Sequence, residues 1–183
     1  MSFIPSGGSS RLVMIDVQER LVPAMSGFDG TGNRIRLLLN GARELALPVI
    51  VTEQYPQGLG STLPDFSVLL PPEAPVIAKT GFSVFEEPLF VEELKKNKPE
   101  TLIFCGIESH VCVFQSALDS LEAGYRTVVS ADAVTSRKPE DRELALAQMR
   151  ASGVLVMSSE AILFMLLRTA KHPAFKAVSK LVR

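Results

Sequence analysis

Six short apolar runs, separated by helix-spaced segments and loops, constrain the fold of this chain more than any other feature. They are Arg11–Val17, Pro48–Thr52, Val76–Ala78, Thr101–Cys105, Arg126–Val129 and Val154–Met157. Each is too short for a buried helix, and most are rich in β-branched residues, which marks strands apolar on both faces. Helical spacing recurs between them. Ile35, Leu38, Leu39, Ala42 and Leu45 share a face of Asn33–Leu45, and FVEELKK spans Phe90–Lys96. Val111, Phe114, Leu118 and Leu121 line one side of Val111–Ala123. Gly124 suits a left-handed cap, Pro139 opens a helix running to about Ala151, and Ser158 or Ser159 caps a last helix ending near Arg168. Gly106 is read as the end of the fourth strand, Glu53–Pro75 as a long loop and the tail after Pro173 as weakly specified.

Strands alternating with helices pair in parallel through right-handed crossovers. The expectation is an α/β chain folded as a three-layer α/β/α sandwich. At 183 residues it makes one domain, 1–183, with its core over about 11–165. Ligands of such sheets bind outside the carboxyl ends of the strands.

Composition mainly excludes. Nineteen basic and twenty acidic residues give a net charge of −1, and the only basic cluster, Lys95–Lys98, is short, so no nucleic-acid partner is expected. Cys105 and Cys112 are the only cysteines, which argues against a disulfide framework and rules out a four-thiolate zinc site. The start, MSFIPSGGSS, lacks the basic and apolar regions of a signal peptide, and no uncharged apolar run reaches about 18 residues. No membrane partner and a reducing, cytoplasmic location are expected.

Three chemistry-bearing residues each follow a different strand. Asp16 ends the first, Lys79 follows the third, and Cys112 lies just past the fourth, in the first turn of the next helix. A parallel sheet would gather all three at one edge. At that place a thiol feels unpaired amides and the positive end of a helix dipole, which would depress its pKa and provide oxyanion donors. Each residue also has a plainer reading. Cys112 also reads as a small buried hydrophobe, Lys79 as a surface lysine and Asp16 as a hydrogen-bonded structural carboxylate. His110, two residues before Cys112, points away from the thiol in a helical turn and reads as structural. Asp132 could position a loop or line the cleft. Gln18, Tyr55, Phe82 and Phe85 are candidates for the pocket wall, or for core packing.

The stretches VMIDVQ around Asp16, VIAKTGFSVF around Lys79 and FCGIESHVCVFQSALD around Cys112 resemble the isochorismatase-like cysteine hydrolases, as does SADAVTSR after the fifth strand. The resemblance spans about residues 11–165, and Gly106–Cys112 is its most specific part. It implies a six-stranded parallel sheet in the order 3-2-1-4-5-6. It implies Cys112 as nucleophile, Asp16 as its general base and Lys79 as support for the thiolate. It also implies a non-proline cis peptide at Ile107–Glu108, shaping an oxyanion site to which the Cys112 amide donates. VTEQYPQGLGST is similar to small isochorismatase-domain hydrolases of unassigned substrate.

Two departures narrow the chemistry. Nicotinamidases of the family hold a metal with Asp-x-His and a second histidine, whereas the matching loop here reads Glu53-Gln54-Tyr55-Pro56, and the only histidines are His110 and His172. Neither a metal nor another cofactor is therefore expected. Enzymes that cleave the isochorismate vinyl ether lack the nucleophilic cysteine, which this chain has. The leading expectation is hydrolysis of a small amide or related carbon–nitrogen bond. The alternatives are vinyl-ether hydrolysis with Asp16 as acid, and a catalytically silent binding or scaffolding oligomer. The positive mean hydropathy fits apolar surface buried between subunits or a tightly packed monomer, and the resemblance implies a homo-oligomer, a dimer or larger.

Overall fold

The structure, a computed structural model, describes residues 7–183, apart from the side chain of Asn97. The first six residues of the stretch read above against a signal peptide lie outside the described residues. The strands are β1 (Ser10–Ile15), β2 (Val49–Gln54), β3 (Val76–Lys79), β4 (Thr101–Ile107), β5 (Arg126–Thr135) and β6 (Leu155–Met157). They form one parallel six-stranded sheet in the order β3-β2-β1-β4-β5-β6, as expected.

Helices cover both faces, as strands with two apolar sides require. On one face, α1 (Phe28–Glu44), α7 (Ser159–Leu167) and α8 (Phe175–Leu181) bury Leu38, Leu163 and Val178 against Leu12 and Met14. On the other, α4 (Pro88–Asn97), α5 (Cys112–Glu122) and α6 (Pro139–Ala151) bury Phe90, Val113 and Met149 against Val13 and Ile15. Alternate residues of β1 thus feed two separate cores.

The structure differs from the sequence reading in several places. β1 ends at Ile15 because Asp16 turns to a left-handed φ of 54°. α1 begins at Phe28, ahead of the apolar stripe, in a segment whose glycines, Gly30 and Gly32, hide the pattern. The Glu53–Pro75 segment extends β2 to Gln54 and then holds two one-turn helices, α2 (Pro56–Leu59) and α3 (Pro64–Ser67), each opened by a proline in its first turn. The tail forms α8, packed on α1.

Gly106 does not end β4. It takes a φ of +114°, and a Cβ there would stand 2.1 Å from the Ile15 carbonyl oxygen. Only glycine allows β4 to lie this close to the end of β1 and continue to Ile107. β5 also runs past Val129. Val129 pairs with Phe104 and Val134 with Gly106, so the intervening residues bulge from the ladder.

Candidate active site

Asp16, Lys79 and Cys112 converge at the carboxyl edge of the sheet, where β1 and β4 leave their common register. The left-handed turn at Asp16 aims its carboxylate along the edge. Oδ1 accepts a hydrogen bond from Thr52 Oγ1 at 2.7 Å. Oδ2 lies 2.8 Å from Lys79 Nζ, and neither side chain is exposed.

Lys79 is the last residue of β3, whose burial alternates so that Ile77 and Lys79 point inward. Its ammonium also donates to Gln54 Oε1 at 2.5 Å and to the carbonyls of Gly81 and Phe82, each at 3.2 Å. A buried charge is tolerable only when paired and hydrogen-bonded in this way.

Gln54 was not among the residues singled out from the sequence. It ends β2 in register with Lys79 and donates to the Thr80 carbonyl at 2.8 Å. Its own N–H is held by Gln18 Oε1 at 2.7 Å. Thr52 was missed as well. Both fall at the end of a strand that the sequence reading stopped at Thr52. A period-two count carried on to Gln54 places Thr52 and Gln54 on one face, and that is the signal that could have found them.

Cys112 is the first residue of α5 and is 7% exposed. The charges of Asp16 and Lys79 both act on its thiol, in opposite senses. The expected acidic thiol is not what this environment produces. Burial, followed by the Asp16 charge, pushes the Cys112 pKa up to about 12, with Lys79 opposing. The helix-end argument omitted desolvation and the charge of Asp16, both of which raise the thiol's pKa. At neutral pH the resting group is therefore the neutral thiol.

The segment ahead of Cys112 forms the elbow. The Ile107–Glu108 peptide is cis. The Glu108 carbonyl accepts from the amides of Val111 at 3.2 Å and Val113 at 3.1 Å, and Ser109 N–H donates to the Thr135 carbonyl at 2.9 Å. Among the described residues, the Cys112 N–H has no acceptor within the protein and remains available beside its own sulfur. Ile107 is buried, so it can serve the site through its backbone only. The Glu108 carboxylate accepts from Arg137 Nε at 2.9 Å, tying the elbow to the residues after β5.

His110 has the expected local role. Its Nδ1 is 3.0 Å from Ser136 Oγ and its Nε2 is 3.8 Å from Asp141. Asp132, in the β5 bulge, accepts from Ser159 N–H at 2.7 Å and Ser159 Oγ at 2.8 Å, and so holds the start of α7. It positions an element.

The four pocket candidates separate. Gln18 is fully buried, and its amide is committed to the Gln54 backbone and the Gly60 carbonyl. It is a clamp between loops and not a pocket wall. Tyr55 and Phe82 are more than half exposed at the rim. Tyr55, Pro56, Ala78, Lys79 and Thr80 line a recess of about 130 Å³. Phe85 is half-buried and stacks edge-on to Phe90 at 5.5 Å.

Glu53, near the end of β2 and in the segment matched above with the nicotinamidase metal-ligand loop, accepts from Thr62 N–H at 2.6 Å and Thr62 Oγ1 at 2.8 Å. Among the described residues, no group of three or more His, Cys, Asp or Glu side chains is gathered to hold a metal ion.

The sheet order and this edge define an isochorismatase-like hydrolase fold. Residues 10–161 match the isochorismatase domain, and the chain belongs to that family. Isochorismatase domain-containing protein 2 of Danio rerio is 38% identical over 174 residues, covering 94% of this chain and 86% of its own. Among solved structures, MAR1 ribonuclease from Caenorhabditis elegans is 40% identical with a TM-score of 0.92, covering 97% of this chain and 91% of that one. YcaC from Pseudomonas aeruginosa, solved with hexane-2,5-diol and covalent acrylamide, is 27% identical with a TM-score of 0.91, covering 99% and 92%.

Proposed function

We propose that the chain hydrolyses a small amide or related carbon–nitrogen bond, with Cys112 as nucleophile, Asp16 as general base and acid, and Lys79 as the charge that supports both. The observation carrying this reading is the buried Asp16–Lys79 ion pair, both of whose charges act on the Cys112 thiol. A substrate carbonyl enters above Cys112. Asp16 takes the Sγ proton as the sulfur–carbon bond forms, and the carbonyl π electrons move to oxygen. The Cys112 N–H donates to that oxyanion. The intermediate collapses, the carbon–nitrogen bond breaks, and the amine leaves with the proton from Asp16. Water then adds to the thioester while Asp16 takes its proton. As the carbon–sulfur bond breaks, that proton returns to Cys112 and the carboxylic acid departs.

Lys79 offsets negative charge wherever it resides, on the carboxylate at rest or on sulfur during attack. The covalent acrylamide in YcaC supports the reading, because an electrophile of that kind is what the proposed nucleophile, Cys112, would take. The ribonuclease name of the C. elegans relative raises phosphodiester cleavage as a competitor. The net charge of −1 and a His110 engaged by Ser136 weigh against it.

The partner we propose is a small molecule, met by a homo-oligomer in a cytoplasmic setting. Exposed Tyr55, Phe82 and Leu89 supply apolar surface for assembly, which light scattering coupled to size exclusion measures directly. No helix among the described residues is long and apolar enough to cross a membrane.

The test is a library of primary amides, with intact-protein mass spectrometry of the quenched reaction. An acyl adduct on Cys112 that is absent from Cys112→Ala, with turnover lost in that variant, is the expected result. Turnover that survives Cys112→Ala would overturn the reading. Pyruvate release from isochorismate in that variant would move vinyl-ether hydrolysis ahead, and RNA cleavage would move the phosphodiester reading ahead. Inertness toward every class would favour the silent scaffold.

A further inference from the structure

A second cavity lies at the opposite edge of the sheet, at the amino ends of β1 and β2. Its volume is about 690 Å³, within the range of small-molecule sites. Arg11 and Asp16 stand at opposite ends of β1, roughly 16 Å apart at about 3.3 Å per residue, so this cavity is separate from the triad. Its walls include Leu47, Val49, Leu70 and Pro72.

Arg11 also lines the cavity and is only 5% exposed. Among the described residues, its Nε–H has no hydrogen-bond partner. Burial pushes the guanidinium below its ordinary pKa, and the charge of Glu93 works against that. Glu93 is not a dedicated counter-ion, because its carboxylate lies 2.6 Å from Lys96 Nζ. A buried guanidinium with an unused N–H is costly, and a carboxylate is the group whose geometry matches its fork of donors. The apolar walls suit a hydrocarbon body behind that head group.

We propose that this cavity is a binding site for a small monocarboxylate with an apolar body, its carboxylate on Arg11 and its body against Leu47, Val49 and Leu70. The proposal does not depend on the hydrolase reading, since none of these residues belongs to the triad.

Calorimetric titration of the intact protein with phenylacetate and hexanoate tests it, with 2-phenylethanol and hexanol as neutral controls. The carboxylates should bind at least about tenfold more tightly than the alcohols, and Arg11→Gln should remove that preference. Glu93→Gln should tighten binding by removing a competing negative charge. Cys112→Ala should leave it unchanged. Leu70→Trp fills the cavity while keeping Arg11, so it should abolish binding even if Arg11→Gln folds poorly. Absence of binding to the intact protein would overturn the proposal. So would equal affinity for acid and alcohol, binding that survives both Arg11→Gln and Leu70→Trp, or binding lost only in Cys112→Ala.

Discussion

Lys79 Nζ and Asp16 Oδ2 meet at 2.8 Å with neither side chain exposed, and Thr52 and Gln54 hold the two partners from the strand between them. The pair is a structural element as well as a chemical one. Breaking it from one side leaves the other charge buried and unpaired. Lys79→Met is expected to destabilise the fold by about 3–5 kcal/mol, and Asp16→Asn with Lys79→Met to recover part of that loss. Urea unfolding of the three proteins checks both statements.

The raised pKa of Cys112 separates resting reactivity from catalysis. Iodoacetamide labelling should be slow at neutral pH and accelerate only as pH climbs toward about 12. Asp16 contributes to raising that pKa, so Asp16→Asn should shift labelling to lower pH while abolishing hydrolysis. Lys79→Ala should shift labelling the other way. Mass spectrometry of the modified peptide reads each profile. A catalytic defect without the labelling shift would mean that Asp16 does not act on the thiol.

Both cysteines also tie stability to alkaline pH. Cys105 and Cys112 each rise from 9.0 to about 12 on folding. Below about pH 9 both folded and unfolded thiols are protonated, and stability is at its full value. Between about pH 9 and 12 only the unfolded thiols ionise, so stability falls with rising pH. Unfolding midpoints across that window, in wild type and Cys105→Ala, should show a shallower decline in the variant.

Gln54 is expected to position Lys79 without touching substrate. Gln54→Leu should lower kcat by up to about 100-fold with little change in KM, because the ammonium loses one tether and shifts relative to the thiol. The same variant should alter the pH profile of Cys112 labelling, which a merely structural role would leave in place. Steady-state kinetics with the labelling profile distinguishes the two.

Gly106 and Gly124 differ in a way that substitution should expose. A Cβ at Gly106 meets the Ile15 backbone, whereas at Gly124, with a φ of +85°, it meets nothing within 4 Å among the described residues. Gly124→Ala should cost about 1–2 kcal/mol from backbone strain alone. Gly106→Ala should cost more than about 4 kcal/mol, or prevent folding, because strand and strand must part. Thermal melts of the two variants give the comparison.

Much of this architecture was legible because apolar runs and helical stripes report burial directly. The strand order, the edge on which Asp16, Lys79 and Cys112 meet and the opening of α5 all follow from that patterning and from the resemblance. What escaped depended on contacts between distant segments. Gln54 reads as a loop residue until Lys79 is placed beside it. Gly106 reads as a breaker until Ile15 is seen against it. Gln18 looked like a pocket wall because its commitment to the Gly60 carbonyl is invisible locally. The thiol pKa was misjudged for the same reason, since desolvation and the neighbouring carboxylate belong to the assembled site.

β3 is a four-residue edge strand, with Val76 and Ala78 turned to solvent, and it alone delivers Lys79. Edge segments of this kind open locally at lower free energy than the rest of a domain. Heat should therefore disarm the protein in two stages, with β3 fraying and withdrawing the ammonium while the central sheet remains folded. Amide exchange at Ile77 and Lys79 would precede exchange at Val13 and Phe104, and activity would vanish several degrees before the melting transition.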